Sequence, residues 1–107
     1  MNLYLDTSAL IKRYIREQGT NEVNIWVAEA DATGTSLITL AEAHAAIARA
    51  VRMKTVSQRS GERVIDLLRQ QWVAYIKIPA SEKTISRAAD LAWQLGLRGY
   101  DAVHLAS

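Results

Sequence analysis

Cysteine is absent from this 107-residue chain, which rules out disulfides, thiolate metal sites and cysteine nucleophiles. Its absence suits a reducing compartment. No apolar run approaches the roughly 18 residues that a membrane span needs, and the N-terminus has no basic-then-apolar leader. A soluble, cytoplasmic protein is therefore expected. Glycine is sparse, and its five occurrences form no glycine-rich phosphate loop, which counts against an NTPase or a dinucleotide enzyme. Linkers, repeats and low-complexity tracts are missing too, so residues 1–107 are expected to form one domain. Nor is charge of one sign in large excess. The 13 Lys and Arg exceed the 11 Asp and Glu by only two, too little by itself to argue for nucleic acid.

Half of the residues are apolar, enough for a packed core. Their spacing predicts strands over residues 3–5, 34–38 and 72–78, the last closed by Pro79. Between them it predicts helices over 7–17, 20–30 with Thr20 as N-cap, 39–53 and 57–71. A further helix opens at Ser81 or Thr84 and ends near Gly96, and a last one places Tyr100, Val103 and His104 on one face. Strands alternating with helices predict an α/β domain with a central parallel sheet and helices on both faces. Three strands are few for that architecture. The final helix also reaches Ser107 without a glycine, a cationic last turn or a proline. A domain incomplete at its C-terminus is expected, with a sheet edge left open to swapping or association.

Three acids sit where chemistry is done in such folds. Asp6 ends the first strand, Glu42 follows the second, and Asp101 opens the last helix. Ligand sites in open α/β sheets form at the carboxyl ends of the strands. Each acid also has a structural role open to it. Asp6 can cap a helix, Thr39 and Glu42 can form a capping box, and Asp101 can sit in a first turn where the helix dipole favours an anion. The two roles are compatible, because a carboxylate has two oxygens. Carboxylates without cysteine or a clear histidine set suit Mg²⁺ or Mn²⁺ rather than Zn²⁺. Such a cluster can activate water and neutralise charge on a phosphodiester.

Thr7 and Ser8 are accessory polar candidates beside Asp6. His104 lies three residues after Asp101 and His44 two after Glu42; both are read as packing or supporting residues rather than ligands. Basic residues follow the acids along the chain, Lys12, Arg49 and Arg52 among them, and read either as solvated helix faces or as a track for a nucleic-acid backbone.

Residues 5–10 (Leu5-Asp6-Thr7-Ser8-Ala9-Leu10), 36–42 (Ser36-Leu37-Ile38-Thr39-Leu40-Ala41-Glu42) and 96–106, which begin Gly96-Leu97-Arg98-Gly99-Tyr100-Asp101, together resemble the PIN domain, in detail that of VapC-type toxins. The last stretch is the most specific, and the three occur in the family's order over essentially the whole chain. The resemblance implies a PIN-like, Rossmann-like three-layer sandwich, here lacking the family's last strands and the fourth acid they carry. It also implies an endoribonuclease dependent on Mg²⁺ or Mn²⁺, with Asp6, Glu42 and Asp101 as catalytic and metal-holding residues. Single-stranded or looped RNA would be the substrate. A cognate antitoxin and a homodimer complete what the family implies, and no membrane partner is expected from the short apolar runs. Two rivals remain open. One is a non-catalytic PIN-like module, inactive through truncation and acting by protein contacts; the other is a Mg²⁺-dependent phosphatase of small phosphoesters.

Overall fold

Three short strands, β1 (Asn2–Tyr4), β2 (Ala32–Ser36) and β3 (Ile76–Ile78), lie side by side in the order β1-β2-β3, all parallel. Register pairs Leu3 with Thr33 and Thr35 with Lys77. Parallel neighbours cannot be joined by hairpins, so each step needs a long crossover. Helices α1 (Thr7–Ile11) and α2 (Thr20–Glu29) make the first crossover, and α3 (Thr39–Arg52) and α4 (Gln58–Trp72) make the second. Helices α5 (Glu82–Leu95) and α6 (Gly99–Ala106) follow β3. The computed structural model describes residues 1–99 and 101–107; Tyr100, expected on one face with Val103 and His104, lies outside the described residues. Among the described residues, no helix is long and apolar enough to cross a membrane.

Side chains alternate between the two faces of a strand. Leu3 and Leu5 therefore share a face, and both join the main core of Leu10, Ile11, Val23, Ala43, Ile47, Leu68 and Tyr75. Tyr4, between them, faces the other way and meets His104 of α6. A second, smaller cluster forms there from Ala88, Ala102 and Val103, with Ile38, Leu91 and Leu97 packed against it. Helices thus cover both faces of the sheet. The α3–α4 pair packs closely because Gly61 has no side chain: a Cβ there would stand 2.6 Å from Cγ2 of Val51.

Four local expectations are corrected. The helix expected over 7–17 stops at Ile11, and the chain tightens into turns closed by Arg13 N–Leu10 O and Tyr14 N–Ile11 O bonds. Those turns place Arg13 and Tyr14 against Tyr75, and the Tyr14 hydroxyl also donates to Gln71 at 2.7 Å. Thr20 does not cap α2. Gly19, at φ 94°, is the cap residue, while Oγ1 of Thr20 accepts from Glu17 N at 2.9 Å and the residue is buried. Trp72, expected to start the third strand, ends α4 instead, because it continues the apolar stripe of Ile65 and Leu68 into the core.

The fourth correction concerns the capping box at Thr39. The cap residue of α3 is Ile38, which makes Thr39 the first helical residue rather than the cap. The Thr39 hydroxyl is fully buried and accepts from Oγ1 of Thr35 at 2.7 Å, tying β2 to the helix it feeds. Glu42 is consequently not spent on the Thr39 amide.

Candidate active site

The first acid is held by the cap that its position predicts. Asp6 has the extended φ and ψ of an N-cap (−73° and 174°), and its Oδ1 accepts from Ala9 N at 2.9 Å and from the Ser8 hydroxyl at 3.2 Å. The second, released from the capping box, is half-buried and turned toward α1 and α6. Oε1 of Glu42 accepts from Oγ1 of Thr7 at 2.6 Å and lies 2.8 Å from Nε2 of His104. Asp101 stands in the first turn of α6, with Oδ2 accepting from Nε of Arg98 at 3.2 Å. All three acids lie at or near helix starts, where the backbone dipole favours an anion.

These residues share one open cleft of about 430 Å³, lined by Asp6, Thr7, Ser8, Glu42, Asp101 and His104, with Glu17, Arg98, Ile11 and Ala46 completing its walls. The structure therefore brings together all three predicted acids and both accessory hydroxyls. His104, read as a supporting residue, does support: its side chain is only 9% exposed, and it touches Glu42, Thr7 and Tyr4. His44 stays out of the cleft, with Nδ1 2.7 Å from Leu40 O.

The basic candidates separate. Lys12 stands beside the cleft in an ion pair with Glu17 at 3.0 Å, and Glu17 is itself part of the wall. Arg49 is exposed and falls on the helical row of Glu42 and Ala46, three to four residues apart at each step. Arg52 lines a different hollow, between α3 and α4 beside Gln58 and Gly61. Sequence reasoning missed Arg98 and Tyr4. Arg98 carried a signal, a cation three residues before an acid at a helix start; Tyr4 carried only its alternation with Asp6 along the strand. Burial pushes the Tyr4 phenol above its usual pKa, against hydrogen bonds from the Ser107 hydroxyl and the Ser36 backbone, while the Asp6 and Glu42 charges add to the rise.

In kind, the donor set fits a hard divalent cation: three carboxylates, two hydroxyls and no sulfur. Each carboxylate keeps one oxygen, Oδ2 of Asp6, Oε2 of Glu42 and Oδ1 of Asp101, to which no described residue bonds. In spacing the set is open. Among the described residues, no three acids or histidines stand close enough to grip an ion as they are.

Comparison with known proteins identifies the family and the fold. The chain matches the PIN domain over residues 3–107. In fold it is similar to a toxin–antitoxin complex from Klebsiella pneumoniae, with a TM-score of 0.69 and 21% identity, over 99% of this chain and 76% of that one. It is also similar to VapBC2 from Rickettsia felis bound to a DNA fragment from their promoter, with a TM-score of 0.65 and 16% identity, over 99% and 78%. At such identities the likeness is one of fold. No curated protein matches the chain by sequence.

Proposed function

The chain belongs to the PIN-domain family, and on that footing we propose that it is an endoribonuclease dependent on Mg²⁺ or Mn²⁺, the toxin component of a type II toxin–antitoxin pair. The observation that carries this reading is the convergence of Asp6, Glu42 and Asp101, from three separate elements, on one cleft. Asp6, Glu42 and Asp101 would hold the cation through the oxygens that no described residue bonds. When bound, the cation acidifies a water and neutralises charge on the scissile phosphate.

The chain's own groups do the rest. Thr7 donates to Oε1 of Glu42, so the carboxylate is held in one orientation rather than free to swing. Arg98, on the wall beside Asp101, and Lys12 at the rim present positive charge to an entering phosphodiester. Arg49, further along the row of Glu42, extends that track for an RNA backbone without reading its sequence. The protein would act in the cytoplasm, as a homodimer, and be restrained by a cognate antitoxin. Support for the last comes from the two solved neighbours, a toxin–antitoxin complex and VapBC2.

One observation favours a second reading. Among the described residues the acids share the cleft but stand too far apart to grip an ion, as expected of a PIN-like module that acts by protein contacts alone. Labelled structured RNA incubated with the purified chain, in Mg²⁺ or Mn²⁺ and in EDTA, separates the two. Cleavage that needs the cation and disappears in Glu42→Gln supports the nuclease. Intact RNA in every lane supports the binding module.

A further inference from the structure

The cleft contains a hydrogen-bonded chain that the three acids do not explain. The Tyr4 hydroxyl lies 2.8 Å from Nδ1 of His104, Nε2 of His104 lies 2.8 Å from Oε1 of Glu42, and Thr7 donates to the same oxygen. The links run between β1, α6 and α3, joining residues 100 and 62 positions apart. A carboxylate oxygen only accepts, so Nε2 must carry a proton. A neutral imidazole protonated there has a bare Nδ1, which needs a donor. The phenol of Tyr4, 2.8 Å away, is that donor. The Thr7 oxygen, 3.2 Å from Nε2, gives the same N–H a second acceptor. Only one neutral tautomer satisfies every polar atom in the chain, and at 9% exposure the ring has little water to turn to.

We propose that Tyr4 is a positioning residue of the cleft. Its hydroxyl fixes His104 in the Nε2–H form, and His104 then pins Oε1 of Glu42, leaving Oε2 for the cation. The effect on cleavage rests on the nuclease reading above; the tautomer is a property of the chain alone.

Long-range proton–nitrogen NMR on the nitrogen-15-labelled full chain reads the tautomer directly. His44 supplies an internal reference, since its Nδ1 faces the Leu40 carbonyl and must be protonated there. The expected result is a protonated Nε2 and bare Nδ1 at His104, assigned by its loss in His104→Gln. Tyr4→Phe keeps the ring, whose edge-on contact with His104 spans 6.1 Å between centroids, and removes only the donor. It should disturb the tautomer and lower kcat by about tenfold at unchanged KM, the lower end of what losing an outer-shell partner costs. His104→Gln, whose amide N–H can still reach Glu42, should retain more activity than His104→Leu.

An Nδ1–H form in the wild type, or a tautomer unmoved by Tyr4→Phe, overturns the assignment whatever happens to cleavage. A shifted tautomer with unchanged kcat overturns the positioning role. Should Glu42→Gln cleave as well as the wild type, the nuclease reading fails, while the NMR still decides the part played by Tyr4.

Discussion

Asp6 caps a helix with one oxygen and is proposed to hold a cation with the other, and a pair of substitutions tells the two roles apart. Oδ1 caps α1 through the Ala9 amide, while Oδ2 carries no bond from a described residue. Asparagine caps as well as aspartate does, whereas alanine removes the cap at a cost of about 1 kcal/mol. Asp6→Asn should therefore melt like the wild type without a divalent cation, and Asp6→Ala should melt lower. Mn²⁺ should raise the melting temperature of the wild type, and both variants should lose that rise. Thermal melts with and without Mn²⁺ check this, and a full Mn²⁺ effect in Asp6→Asn would place the cation elsewhere. At this scale the acids were legible because Asp6 and Glu42 follow strands and Asp101 opens a helix, places that sequence pattern marks. Tyr4 was not, since its role depends on meeting a histidine 100 residues later. Glu42 was legible as a residue but misread in detail. The capping box at Thr39 fails because the Thr39 hydroxyl turns inward to Thr35, and no local pattern records that choice.

Among the elements, the tightest constraint lies between α3 and α4. Since a methyl group at Gly61 would run into Val51, the helices must part or a side chain must leave its rotamer. Gly61→Ala should thus destabilise the fold by about 1–3 kcal/mol, the range for overpacking, despite the better helix propensity of alanine. Urea titration reads the outcome directly. A variant at least as stable as the wild type would show that the pair can slide apart freely. Helix and strand types were largely legible from periodicity, and the ends were not. The first helix gives way after Ile11 where Arg13 and Tyr14 turn to Tyr75, and Trp72 stays helical because the core extends one turn further. The first of these boundaries is set by a partner some 60 residues distant along the chain, which a window of neighbours does not contain.

At the scale of the molecule, the apolar packing of the described residues falls into two clusters, and the cleft is built from both. Asp6, Thr7 and Glu42 ride on elements of the main core, whereas Asp101 and His104 ride on α6, whose buried residues belong to the small cluster with α5. The parallel α/β plan was legible in the alternation of strands and helices, but this division was not. It depends on which face of β1 each side chain takes, and there Tyr4 breaks with Leu3 and Leu5. Few of the described residues of the α5–α6 pair are buried, so its amides should exchange with deuterium faster than those of α3 and α4. Mn²⁺ should slow exchange in α6 more than in α4, because only α6 brings a proposed ligand across the divide. Equal slowing in both helices, measured by mass spectrometry, would contradict that.

The open spacing of the three acids then acquires a meaning beyond the cleft itself. A donor set divided between two packing units is complete only while those units are seated against each other. If these acids hold the proposed cation, occupancy and seating are one equilibrium, and anything that wedges or clamps the α5–α6 pair would throttle the chemistry without ever entering the cleft.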